Sequence, residues 1–325
     1  MGVSGNIEQE LRLPKFQLTG RSSGVHRYGF SSFLASRMGL LRVPRCYADW
    51  SHGWFWGEDP GPVLLNFGSL PKDVRVVVCN DTEAMAMRNS GYEDVIVGGL
   101  PYGYIAQQSA QRRSDWLLAF PPHSAERQKL RSQQKLFLDY LSTVARDFER
   151  VVLSIYYLDL DSPLHKEARK RGFDVVVGAR PDDAHSLARI RHLMDSFEFV
   201  TTNAMGSHFV YALHAGCKVS ICGELYEYDD GVFDAMSSQW GEGILERLLE
   251  LYSKKALRTR FQRYFVEHPR SGTADVAYAA RQLGLPSQMD DAQIRRVLGW
   301  TWSGQLVGLA KGFARRAKRT SDAIA

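Results

Sequence analysis

Long hydrophobic runs are missing from this sequence: no stretch of 18 or more apolar residues occurs, so no helix is expected to span a bilayer. The opening residues, MGVSGNIEQELRLPKF, lack the apolar centre of a secretory leader, and a cytoplasmic chain is the expectation. Cysteine is scarce. Cys46, Cys79, Cys217 and Cys222 stand at no metal-ligand spacing, and Cys79 and Cys222 fall inside apolar runs. Buried, reduced thiols are expected there, and no metal site. Internal repeats and low-complexity tracts are absent, which excludes a solenoid. Neither GxGxxG nor GxxxxGK followed by Ser or Thr occurs at the candidate strand–helix turns, so no dinucleotide or Walker fingerprint is present. Charge of one sign is also lacking in the body of the chain. The formal net charge is +5, and Lys311, Arg315, Arg316, Lys318 and Arg319 supply five positive charges with no acid between them. The remainder is near neutral, which argues against a nucleic-acid-binding surface.

What is present is a length of 325 residues and an apolar content of 44%, enough for two domains, each expected to bury its own core. Short apolar runs at 74–79, 95–97, 116–120, 151–156, 175–177, 199–201 and 219–222 read as strands. Helical periodicity fills 82–90, 125–147, 163–171, 183–195 and 207–215. This alternation predicts parallel βαβ units with helices on both sheet faces. A polar connector at 104–114 separates two such series. The expected architecture is α/β, with a Rossmann-like unit at 1–112, a second at 113–285, and C-terminal helices with a basic tail at 286–325. Residues 241–268 read as one amphipathic helix and 290–298 as another.

Four stretches can carry chemistry. In 47–59 (YADWSHGWFWGED), His52 follows a possible strand, and its neutral imidazole suits a base or a hydrogen-bond donor. Trp54 and its neighbours there suit either a sugar face or an aromatic core corner. In 91–104 (GYEDVIVGGLPYGY), Gly99 and Pro101 form a sharp turn at the carboxyl edge of a strand, where ligands approach in open α/β folds. In 121–126 (PPHSAE), Ser124 is a good N-cap and His123 an added donor, together a candidate anion seat. In 199–222 (FVTTNAMGSHFVYALHAGCKVSIC), a strand ends before Asn203, Gly206, Ser207 and His208 open a helix whose dipole favours a negative ligand. The acids Asp159, Asp161, Glu224, Glu227, Asp229 and Asp230 follow strand ends and read as solvated loop residues. The C-terminal stretch sets Trp300, Trp302 and Phe313 beside Arg315 and Arg316, a pattern suited to an anionic membrane surface.

On these residues the chain resembles the bacterial glycosyltransferase B-type enzymes of surface-polysaccharide synthesis. It is nearest to Kdo and sialic-acid-type transferases and to teichoic-acid glycerophosphotransferases. Ser51-His52-Gly53-Trp54 is similar to the histidine–glycine loop of their acceptor domains, and residues 91–101 look like the segment closing that domain. The stretch through Asn203, Gly206, Ser207 and His208 resembles their donor-phosphate loop. Cys217-Lys218-Val219 replaces that family's Gly-Lys-Pro-like turn, so the proline is missing. The resemblance implies transfer of a sugar from a CMP-, CDP- or UDP-linked donor to a lipid-linked or polysaccharide acceptor of lipopolysaccharide or capsule, with no cofactor. It implies His52 as base or acceptor-orienting group, with Trp54, Gly99 and Pro101 on the acceptor side. His123, Ser124, Asn203, Gly206, Ser207 and His208 would hold the donor. It also implies a peripheral enzyme on the inner face of the cytoplasmic membrane. A nucleotide-sugar epimerase on the same fold and a non-catalytic assembly or regulatory protein of a polysaccharide pathway are the alternative readings.

Overall fold

The computed structural model describes residues 7–58, 60–123, 134–226 and 243–309. Its strands form two parallel sheets. The first contains β1 (Ala48–Trp50), β2 (Arg75–Val78) and β3 (Val95–Val97), in that order. The second contains β4 (Arg113–Phe120), β5 (Arg150–Ile155), β6 (Asp174–Val177), β7 (Phe197–Thr202) and β8 (Lys218–Ile221). Its spatial order is β6-β5-β4-β7-β8. The chain builds outward from β4 on one side, then crosses back to add β7 and β8 on the other. That reversal leaves a crevice between the carboxyl ends of β4 and β7.

Side-chain alternation explains why these runs are nearly continuous in apolar residues: each strand is covered on both faces. Along β4, Trp116, Leu118 and Phe120 enter one apolar cluster, while Leu117 and Ala119 enter another. Along β2, Val77 joins the same first cluster, while Val76 and Val78 face a third. The first cluster therefore runs through both sheets, from Trp50 and Leu100 to Val152, Val200 and Phe209. Two separate cores were expected; one shared core joins the sheets, with a satellite on each outer face. The outer face of the second sheet is covered by α4 (Gln134–Val144) and α5 (Pro163–Lys170), that of the first by α3 (Asp81–Asn89).

The chain's two ends cross over. Residues 7–19 were expected with the first unit, but they lie along the second sheet. Glu8 pairs with the buried Arg189, Arg150 with Glu10, and Thr19 N–H donates to Asp182 O. Residues 286–309 were expected as a separate unit, but they pack on the first sheet. There, Arg75 Nη1 donates to Val297 O, Tyr47 N–H donates to Leu298 O, and Ile294 and Trp300 enter the shared core. The single helix expected at 241–268 is two, Ile244–Leu251 and Lys254–Phe261. Ser253 caps the second by accepting from Ala256 N–H, which ends the first. Helix α2 (Phe30–Arg37) lies in a stretch left unassigned from the sequence, and residues 125–133 of the expected helix 125–147 lie outside the described residues.

Candidate functional site

The crevice between β4 and β7 opens into a cavity of about 270 Å³. Pro121, Pro122 and His123 leave β4 on one side, the two prolines holding the exit extended. Residues 204–208 leave β7 on the other and start α7 (Ser207–His214). The opposite wall comes from the amino-terminal part of the chain, through Tyr28, His52 and Gly53. His52, His123 and the run Gly206-Ser207-His208 belong to three separate stretches of the sequence. The fold brings all five to one cavity.

The mouth of α7 is held open by its surroundings. Gly206 at its N-cap is fully extended and gives no side-chain cap. Ser207 points its hydroxyl away from the helix to accept Trp54 N–H at 2.9 Å, and one turn later Tyr211 OH donates to His52 O at 3.3 Å. The loop 52–54 is thereby bolted to the first turn of α7. His208 turns back onto β7. Thr202 Oγ1 accepts Ala204 N–H at 3.1 Å and has carbonyls of Phe120 and Ala204 at 2.8 Å for its own proton. The bond of 3.1 Å to His208 Nε2 then requires the ring to donate, which assigns the His208 proton to Nε2. The ring stacks on Phe120, 4.9 Å between centroids. Burial, and then the neighbouring His123, push the His208 pKa down to about 3. The imidazole is neutral at pH 7.

His52 is neutral for a related reason. Arg27 Nη1 donates to its Nε2 at 2.9 Å, so the proton is on Nδ1 and the Nε2 lone pair is occupied. Burial, and then the Arg27 charge, push its pKa down to about 3. His52 also borders a second cavity, of about 650 Å³, which Arg27, Asp49 and the loop 63–70 complete. Asp49 accepts Trp50 N–H at 2.8 Å, and burial pushes its carboxyl pKa up. The Arg27–His52 pair thus stands on the partition between the two cavities.

Other expected residues do different work. Asn203 lies beneath the cavity rather than on it. It is 1% exposed, its side-chain Nδ2 donates to Glu224 O at 2.9 Å, and its main-chain carbonyl accepts Tyr226 N–H at 2.8 Å, so it ties down the turn after β8. Trp54 offers no sugar face: it is buried, stacked on Phe209, with Nε1 donating to Gln282 Oε1 at 2.9 Å. Gly99 serves packing. Its φ is +72°, and a Cβ there would press on Gly284 O, 2.7 Å away. Pro101 is buried at the start of a short turn, Pro101–Tyr104, and lines neither cavity. Trp300 is buried in the shared core and faces no membrane, whereas Trp302 is exposed. Ser124, Phe313, Arg315 and Arg316 lie outside the described residues, as do Glu227, Asp229 and Asp230. Asp159 is buried, Glu224 pairs with Lys254, and no cluster of potential metal ligands occurs among the described residues.

Arg27, Tyr28, Asp49 and Tyr156 were missed. No sequence pattern marked Tyr28, whose place depends on a left-handed φ of +56°, rare for a non-glycine residue, with Gly29 following at +76°. Together they turn the chain so that Tyr28 N–H donates to Pro181 O and the Tyr28 ring lies 5.8 Å from His52.

No family model and no curated protein matches the chain. Among solved structures, the chain is similar to a mutant TarM of S. aureus crystallised with fondaparinux, α-GlcNAc-glycerol and UDP. The identity is 10%, the TM-score 0.25, and the match covers 59% of this chain and 43% of that one. At that score the likeness bears on neither activity nor ligand, and the chain spans less than half the length of the protein it matches.

Proposed function

We propose that this protein is a glycosyltransferase of surface-glycan synthesis, lipopolysaccharide or capsule. It would move a sugar from a CMP-, CDP- or UDP-linked donor to a lipid-linked or polysaccharide acceptor. One observation carries the reading: the uncapped mouth of α7 opens onto a cavity at the strand-order reversal of a five-stranded parallel sheet. In this reading the backbone amides at Ser207 and His208, aligned with the helix dipole, hold the donor phosphate. His123 at the rim adds a donor. The 650 Å³ cavity across His52 takes the acceptor, with Asp49 facing it.

Arg27 lines the acceptor-side cavity beside His52 and not the cavity at the α7 mouth. An anionic group of the acceptor competes with His52 for the guanidinium. Drawing Arg27 away exposes the Nε2 lone pair on the acceptor side and removes the charge that helps hold the ring's pKa down. Stabilisation of the departing phosphate falls to the fixed amides of the helix mouth. Isothermal titration of CMP, CDP and UDP is the direct test. Heat is expected from at least one of them, lost on Gly206→Asp, which sets a carboxylate at the helix mouth. Absence of binding to all three at millimolar concentration sinks the reading.

The pairing of His52 with Arg27 favours a second reading, a non-catalytic assembly or regulatory protein, because the imidazole there is a poor base as it stands. Nucleotide binding without sugar transfer to membrane-derived acceptors, unaltered by His52→Gln, is its signature.

A further inference from the structure

The helix at residues 302–309 is built inside out. Gly304 and Gly308 lie on the face packed against the protein, where a Cβ on Gly308 would collide with the Tyr47 ring, and Gln305 donates to Arg45 O at 2.8 Å. The large apolar residues point the other way: Trp302 is 91% exposed, Leu306 67% and Leu309 42%. These occupy positions i, i+4 and i+7, one face of a helix, and the sequence continues the spacing to Phe313 at i+11. An ordinary surface helix buries its bulky apolar stripe and exposes its small and polar residues. Here the assignment is reversed, and the reversal is enforced by glycine.

A second element joins the same surface. The loop at 39–45 is fastened to the C-terminal helices at both ends, through Arg295 Nη2 to Met38 O at 3.1 Å and through Gln305 to Arg45 O. At its tip Leu41 is fully exposed, beside the exposed Arg42 and Arg45. The chain after residue 309 then carries Lys311, Arg315, Arg316, Lys318 and Arg319 without an acid before Asp322. Exposed Trp and Leu, with Arg42 and Arg45 exposed on the loop and five further cations following in the sequence, match the chemistry of an anionic bilayer surface, apolar below and negative at the headgroups.

We infer that the protein docks on an anionic lipid bilayer through a composite surface, made of Trp302, Leu306 and Leu309 together with the Leu41–Arg42 loop. This deepens the proposed action on a lipid-linked acceptor and rests on that reading only for its purpose, since the surface stands without it. The loop carries the new content: a basic tail acting alone would leave Leu41 idle.

Co-sedimentation of the full chain with vesicles of phosphatidylcholine, with and without phosphatidylglycerol, tests the inference. Binding is expected only to the anionic vesicles and weakens as salt is raised. Leu41→Asp and Trp302→Asp, both at exposed positions, are each expected to weaken binding roughly tenfold or more. Unchanged binding by Leu41→Asp overturns the composite surface. So does failure of the wild-type chain to bind, or a self-association in sedimentation velocity that Trp302→Asp abolishes while vesicles are ignored. Circular dichroism verifies the fold of each variant, and nucleotide titration separates the two proposals. Vesicle binding with no nucleotide binding removes the transferase and leaves the docking surface standing, and the converse result does the opposite.

Discussion

Acidification from pH 7 to pH 5 is expected to weaken the fold through the two cavity histidines, by an amount that follows from their surroundings. In the unfolded chain each titrates near 6.5; in the folded protein each is pushed down to about 3, chiefly by burial. Between those values the unfolded chain binds a proton that the folded protein refuses. The stability each histidine contributes is therefore complete above 6.5 and is lost as pH falls toward 3. At about 1.4 kcal/mol per pH unit, the loss from pH 7 to pH 5 is about 2 kcal/mol for each histidine, a large share of a typical folding free energy. His214, pushed down to about 4 by burial, acts in the same direction. Glu83 acts against them. Burial pushes its carboxyl up to about 7, so it keeps a proton in the folded state over the range where the unfolded chain, titrating near 4.5, loses it. Its contribution is lost as pH rises from 4.5 through 7, and acidification restores about 2 kcal/mol over the same interval.

The whole-protein pH curve mixes these opposing slopes, so the informative quantity is a difference. His208→Asn removes one titrating ring, along with its stack on Phe120, and is less stable at pH 7 for that reason. Its stability falls less steeply with acid. Urea unfolding of both proteins at pH 7, 6 and 5 is expected to show the gap closing by about 2 kcal/mol as pH drops to 5. Parallel profiles would refute the claim that the fold holds His208 neutral.

Arg27→Met is expected to raise the His52 pKa while leaving it below 6.5, because burial is the larger cause; an imidazole NMR titration reads this directly. Ser207→Ala leaves Trp54 N–H without its acceptor and is expected to cost about 1–3 kcal/mol in urea unfolding. Gly29→Ala combines a left-handed φ with a Cβ that overlaps Ala184 O, so a loss of more than about 2 kcal/mol is expected, seen as a lowered melting temperature.

The strands of the second sheet were legible because burial on both faces writes them as nearly unbroken apolar runs: 151–156 and 175–177 fall within one residue of β5 and β6, and 116–120 is the buried carboxyl-terminal part of β4. The order of those strands is not written in the runs, so the reversal between β4 and β7, and the meeting of His123 with Gly206, Ser207 and His208, is seen only in the structure. β1 has three residues, ADW, too few to show a period, and was visible only as a possible strand. The glycine–serine stretch 20–39 hid α2 and Tyr28, since neither a left-handed tyrosine nor a contact with residues 181–184 leaves a periodic trace. Trp54 and Trp300 misled for one reason. Tryptophan composition is the same in a core as on a binding face, and only long-range packing, of Trp54 on Phe209 and of Trp300 in the cluster shared by both sheets, separates the cases. The sequence could not reveal that the chain's ends exchange sides, because Glu8 with Arg189 and Arg75 with Val297 are pairings across more than 180 residues.

That exchange, with the apolar cluster common to both sheets, limits how this molecule can be taken apart. A cut near residue 112 would not release two self-sufficient modules; each piece would carry off a strap the other needs and bare half of a joint interior. Replacing one half with that of a relative, a usual route to altered substrate choice, would succeed here only if the matching strap and inner face came with it.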